Sequence, residues 1–143
     1  MKILRFSTSE LSPRFGWLFE DLVGQLDGDP FNTFRRLEAD IPVDSIKLLP
    51  PVEPRKIICV GRNYEAHAKE HGTEVGEIPT LFFKPPTSLV GLGDPIVLPP
   101  QSKQVEHEAE LAVVIGKKGR WIQPEVAWDH VFGYTIANDV TAR

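Results

Sequence analysis

Thirteen prolines and eleven glycines spread along 143 residues argue against a helical bundle. Each proline removes a helix hydrogen bond and clashes with the turn before it. Between these breaks lie short runs rich in β-branched and aromatic residues, at 56–60, 95–98, 105–115 and 131–141. Such runs predict strands, and hence a mainly β (α+β) chain with short helices. Two helices fit the remaining segments. Asn63 is suited to cap a helix over 64–71 that Gly72 ends, and Pro124 to open one over 124–130. In the first fifty residues, short apolar runs such as Phe15-Gly16-Trp17-Leu18-Phe19 are broken by polar and Gly/Pro turns. Pro50-Pro51-Val52-Glu53-Pro54 then reads as a stiff, extended linker. The chain is thus expected to divide into a small N-terminal β segment with its linker, 1–52, and a second domain, 53–143.

Chemistry concentrates where acids run into an apolar strand, Glu106-His107-Glu108-Ala109-Glu110 followed by Leu111-Ala112-Val113-Val114-Ile115. A side-chain period of two puts Glu106, Glu108 and Glu110 on one face and His107 on the other. Neighbouring carboxylates then sit about 7 Å apart, given a rise of roughly 3.3 Å per residue. Each pair repels by roughly 2 kcal/mol at an effective dielectric near 20. One resolution is a solvated acidic face. The other is a bound divalent ion, which turns the repulsion into attraction. Further along, Asp139 stands in the apolar, β-rich stretch from Val131 to Ala142. Acids are depleted in strands and rarely buried without a partner or a metal.

Four motifs in order are similar to those of the fumarylacetoacetate hydrolase family: Gly61-Arg62-Asn63-Tyr64-Glu65-Ala66-His67, Leu81-Phe82-Phe83-Lys84-Pro85-Pro86-Thr87-Ser88, Glu106-His107-Glu108-Ala109-Glu110-Leu111 and Asn138-Asp139-Val140-Thr141-Ala142-Arg143. The resemblance covers roughly residues 50–143 and implies a β-sandwich roll. It also implies that Glu108, Glu110 and Asp139 hold one Mg²⁺ or Mn²⁺, with Glu106 outside the ligand set. His67 and Glu70 match the family's His/Glu dyad on a mobile lid helix, where the carboxylate orients a general base. Lys84 lies in a loop that the resemblance places near the metal, facing an anionic substrate. Thr87 and Ser88 could offer hydroxyls to a carboxylate, and Arg62 its bidentate fork. His71, His107 and His130 match no catalytic position.

The implied activity is metal-dependent chemistry on 2-oxo, β-diketo or 2-hydroxy-dienoic acids: C–C hydrolysis, decarboxylation or enol–keto isomerisation. The cation stabilises the enolate that forms. A role in aromatic catabolism and a homodimeric assembly, common in the family, go with it. Family domains run on beyond the metal aspartate, whereas Arg143 follows Asp139 by four positions. A pocket lysine that members carry downstream is absent. The reading is therefore of a truncated roll, whose missing strand edge comes from residues not present here or from a second chain. Such a chain is expected to expose apolar surface and to associate.

Composition excludes several other classes. A net charge of −4 argues against a nucleic-acid or anionic-membrane partner. The single cysteine, Cys59, excludes an internal disulfide framework and fits a reducing, cytoplasmic setting. The start, Met1 to Phe6, is not followed by a sustained apolar stretch. Gly91-Leu92-Gly93-Asp94 lacks the following Lys-Ser/Thr of a phosphate loop and reads as a turn. The competing functional class is a non-catalytic, acidic-faced β module, or an inactive fragment, that binds a partner and has no affinity for divalent ions.

Overall fold

In the computed structural model the described residues are 1–70, 72 and 75–143, without the side chains of His67, Ala68 and Glu70. Residues 1–49 form an antiparallel five-stranded sheet: β1 (Lys2–Ser7), β2 (Arg14–Phe19), β3 (Leu22–Gly28), β4 (Phe34–Pro42) and β5 (Lys47–Leu49), in the order β4-β3-β2-β1-β5. Glu20 takes φ 51° in the two-residue link from β2 to β3, as a tight hairpin with matching twist demands. The core is small: Phe6 from β1, with Val23 and Leu26 from β3. Residues 23 and 26 should face opposite ways in a regular strand. Register shifts on either side of Gly24 rephase β3 so that both point inward. A side chain at Gly24 would collide with Trp17, whose indole Nε1 donates to the Leu37 carbonyl at 3.0 Å.

Residues 50–56 carry no regular structure, as the prolines dictate. Beyond them the strands pair as three antiparallel ribbons. β6 (Ile57–Gly61) pairs with β7 (Thr80–Lys84). β8 (Val105–Glu106) pairs with β11 (Thr141–Ala142), and β9 (Ala109–Ile115) with β10 (Val131–Asn138). A short helix, α1 (Glu65–Glu70), follows β6, and Gly72 at φ 65° donates its N–H to the Lys69 carbonyl. The helix expected at 124–130 is present as a 3₁₀ helix, Pro124–His130.

Two expectations are corrected. Residues 95–98 form no strand; Ile96, Val97 and Leu98 lie exposed between Pro95 and Pro99 with no pairing partner among the described residues. The strand expected across 105–115 is broken at His107 and Glu108, and its partner is broken at Asp139 and Val140.

The N-terminal sheet is tied to the rest by aromatic and ionic contacts. Phe31 stacks on Phe132 at the start of β10, ring centroids 4.4 Å apart. Arg5 pairs with Glu53, and Lys47 with Asp94 at 2.9 Å. The exposed area is 11348 Å², against about 7,400 Å² expected for a compact monomer of this mass. The excess lies partly on the ribbons. Ile58, Val60, Leu81 and Phe83 share one bare face of β6–β7, and Leu111, Val113, Ile115, Tyr134 and Ile136 one bare face of β9–β10.

Candidate metal centre

The opposite, half-buried face of β9 carries Glu110, Ala112 and Val114. Glu110 pairs with Ala137, so continuing the register sets Glu108 against Asp139. Cross-strand partners and i, i+2 neighbours share a face. The topology thus brings the backbone positions of Glu108, Glu110 and Asp139 to one side of the ribbon, at its break. One ladder bond survives there, Asp139 N–H to the Glu108 carbonyl at 2.8 Å. Asn138 supplies another from its side chain: Oδ1 accepts the Glu108 N–H at 3.0 Å. Thr141 Oγ1 donates to the Asp139 carbonyl at 2.9 Å. Side chains close the ladder where the main chain turns aside, which is what lets the acids stand at an irregular, half-buried point.

Cations neutralise these acids. Arg143 donates Nε to Glu106 Oε2 at 2.8 Å and Nη2 to Glu108 Oε1 at 2.6 Å. These bonds, that to Glu106 foremost, push the guanidinium pKa higher still. Lys84 pairs with Asp139, whose side chain is 12% exposed. Asp139 Oδ1 touches the ammonium outside hydrogen-bond alignment and, buried, has no hydrogen-bond partner among the described residues. The Cys59 thiol lies in the same electrostatic environment. Burial pushes its pKa up, the charge of Asp139 adds to this, Lys84 opposes it and Glu110 adds again. Tyr64, just ahead of α1, accepts the Leu111 N–H at 3.3 Å through its hydroxyl, linking the helix to β9.

Among the described residues no three His, Cys, Asp or Glu side chains are arranged to hold an ion in this conformation. The donor set nevertheless suits a hard cation. It offers carboxylates on a shared face and a buried oxygen without a hydrogen bond, the kind of site that Mg²⁺ or Mn²⁺ occupies.

Of the residues expected to meet substrate, only Lys84 stands beside these acids. Arg62, at φ 56°, lines a 140 Å³ cavity with Asn63, Ile78 and Thr80 that includes none of the acids. Thr87 lines a separate 350 Å³ cleft with Arg5, Glu53 and Leu89. Ser88 donates its hydroxyl to the Pro85 carbonyl at 2.7 Å, capping its own turn. The backbone of His67 and Glu70 lies on α1, and their side chains fall outside the described residues, as does His71. Sequence reasoning missed Arg143, Asn138 and Tyr64 as parts of this site. The signal for Arg143 was its place in the Asn138–Arg143 motif. Asn138 and Tyr64 likewise stand in the Asn138–Arg143 and Gly61–His67 motifs, but their contacts with Glu108 and Leu111 arise only between distant segments.

Comparison with known proteins gives this architecture a family. Residues 56–143 match "Fumarylacetoacetate (FAA) hydrolase C-terminal" and residues 1–51 match "Rv2993c-like, N-terminal". The chain belongs to the fumarylacetoacetate hydrolase family. It is 49% identical over 113 residues to the human mitochondrial oxaloacetate tautomerase FAHD2A, covering 76% of this chain and 36% of that protein. The fold matches 5-carboxymethyl-2-hydroxymuconate delta-isomerase from Mycobacterium smegmatis at TM-score 0.87 and 33% identity, over 100% of this chain and 56% of that one. It also matches maleylpyruvate hydrolase from Sphingobium sp. SYK-6, in complex with manganese (II) ion and pyruvate, at TM-score 0.75 and 29% identity, over 100% of this chain and 60% of that one. The chain spans about two-fifths of the length of the curated relatives it matches.

Proposed function

We propose that this chain carries the metal-binding part of an enzyme acting on 2-oxo, β-diketo or 2-hydroxy-dienoic acids, by C–C hydrolysis, decarboxylation or enol–keto isomerisation. The observation that supports it most is the register of β9 and β10. Continued past Ala109 and Asn138, it carries the backbone positions of Glu108, Glu110 and Asp139 to one face, where the largely buried Asp139 carboxylate is ion-paired with Lys84 and its Oδ1 has no hydrogen bond among the described residues. Glu108, Glu110 and Asp139 would hold Mg²⁺ or Mn²⁺. When bound, the ion supplies Lewis-acid stabilisation of negative charge developing on the substrate's oxygens. The names of the relatives favour the same substrate class, since oxaloacetate and pyruvate are both 2-oxo acids.

The remaining steps fall to the chain's own groups. Lys84 would attract the substrate carboxylate to the acids at the ribbon break, its half-buried ammonium lying beside Asp139. His67 takes or relays the proton from water or from the enol, oriented by Glu70 three positions on, one helical turn away on α1. Assembly as a homodimer would cover bare apolar surface on the ribbons.

The test is turnover of a panel of 2-oxo and β-diketo acids with Mg²⁺ or Mn²⁺ by a complete protein of the relatives' length that carries this chain. His67→Ala should lower turnover by about 10²–10⁴-fold with ion affinity unchanged. Loss of ion binding in that variant would move the histidine into the ligand set. No metal-dependent turnover of any member of the panel would favour the non-catalytic acidic module.

A further inference from the structure

Arg143 is held more firmly than its end position suggests. Its N–H donates to the Gln104 carbonyl at 2.9 Å, and its own carbonyl accepts Ser102 Oγ at 2.9 Å. Its guanidinium is then split between two acids of unequal standing. Glu106, which holds Nε, is itself gripped by Gln104, whose Nε2 donates to Oε1 at 2.5 Å. Glu108, which holds Nη2, stands at the ribbon break on the face shared with Glu110 and Asp139. One arm of the fork therefore rests on a fixed anchor and the other on a carboxylate that the ion needs.

We propose that Arg143 is an internal counter-ion that competes with the divalent ion for Glu108, so that filling the site exchanges a guanidinium arm for metal. The inference rests on the metal reading of the site. Two cations cannot share one carboxylate oxygen at full strength, and a charge-assisted bond at 2.6 Å must be given up before that oxygen can ligate. In exchange, the arginine offsets the repulsion between Glu106 and Glu108 while the site waits for an ion. The Glu106 anchor keeps the guanidinium beside Glu108 after exchange, ready to return when the ion leaves.

The experiment titrates Mn²⁺ into the metal-free 143-residue chain by calorimetry, with thermal melts in parallel. The chains compared are wild type, Arg143→Met, Arg143→Lys and, as a control for loss of any positive charge, Lys118→Met from the loop beyond β9. Arg143→Met should bind Mn²⁺ about tenfold more tightly, a change of about 1.4 kcal/mol, and melt lower without metal. Arg143→Lys, which keeps the charge without the fork, should fall between it and wild type, and it carries the test if the methionine variant does not fold. Lys118→Met should match wild type. Binding by Arg143→Met where wild type shows none would also support the exchange. Equal or weaker binding in Arg143→Met and Arg143→Lys, beside a binding wild type, would overturn it and leave the metal site standing. An equal gain in Lys118→Met would reduce the effect to net charge and likewise overturn it. No binding by any of the four chains would overturn the metal reading and the exchange together.

Discussion

Asp139 donates its backbone N–H to the carbonyl of Glu108 across 2.8 Å, at the point where both strands of the ribbon break. This single bond fixes the distance between the backbones of two acids 31 positions apart in sequence. Their side chains are then free of the regular pleat and can turn towards a common partner. The same break forces neighbouring side chains to complete the ladder.

Asn138 is the most exposed of those substitutes to mutation. Asn138→Ala removes the acceptor of the Glu108 N–H. The loss should cost about 1 kcal/mol of stability, read as a lower urea midpoint at unchanged slope. Asn138→Asp, which keeps an oxygen at that point, should recover most of the midpoint.

The fold class was legible because period-two patterning is a local property. β6 and β10 stand where alternation and β-branched residues put them, and Pro124 opened a helical segment over Pro124–His130. The 95–98 run misled because apolar content alone does not make a strand; among the described residues no neighbour pairs with it. The break at His107 and Glu108 was invisible because the bond that closes it comes from Asn138, across on the partner strand. The site was legible as positions and not as contacts. The family resemblance implied Glu108, Glu110 and Asp139 as the ligand set. That Lys84 and Arg143 neutralise them is a property of three ribbons meeting, which no single segment encodes.

The bare faces of the ribbons carry a second prediction. Ile136 is 85% exposed and Phe83 69%. Apolar surface of this extent binds hydrophobic dyes and drives association. The 143-residue chain should enhance dye fluorescence and associate at micromolar concentration in sedimentation. A dye-silent monomer with a cooperative melt would show that these faces are covered in solution.

Acid should loosen the tie between the N-terminal sheet and the second domain. A hydrogen bond from Lys47, seconded by the Gly91 N–H, lowers the pKa of Asp94. A carboxylate with a depressed folded-state pKa contributes stability above its unfolded value and loses it as pH falls through the folded one. Below the ordinary aspartate range the Lys47–Asp94 link should therefore release. Asp94→Asn should flatten the acid limb of a stability profile there while changing little at pH 7, where an exposed pair contributes modestly.

One divalent-ion site formed by Glu108, Glu110 and Asp139 is checked by Mn²⁺ calorimetry on the metal-free chain, paired with melts, for wild type and Asp139→Asn. Binding of one ion per chain should raise the wild-type midpoint, with about 2.7 kcal/mol of added stability at a hundredfold excess over Kd. Asp139→Asn should lose that gain. No heat and no shift in wild type and Arg143→Met alike, or an undiminished gain in Asp139→Asn, would contradict the account.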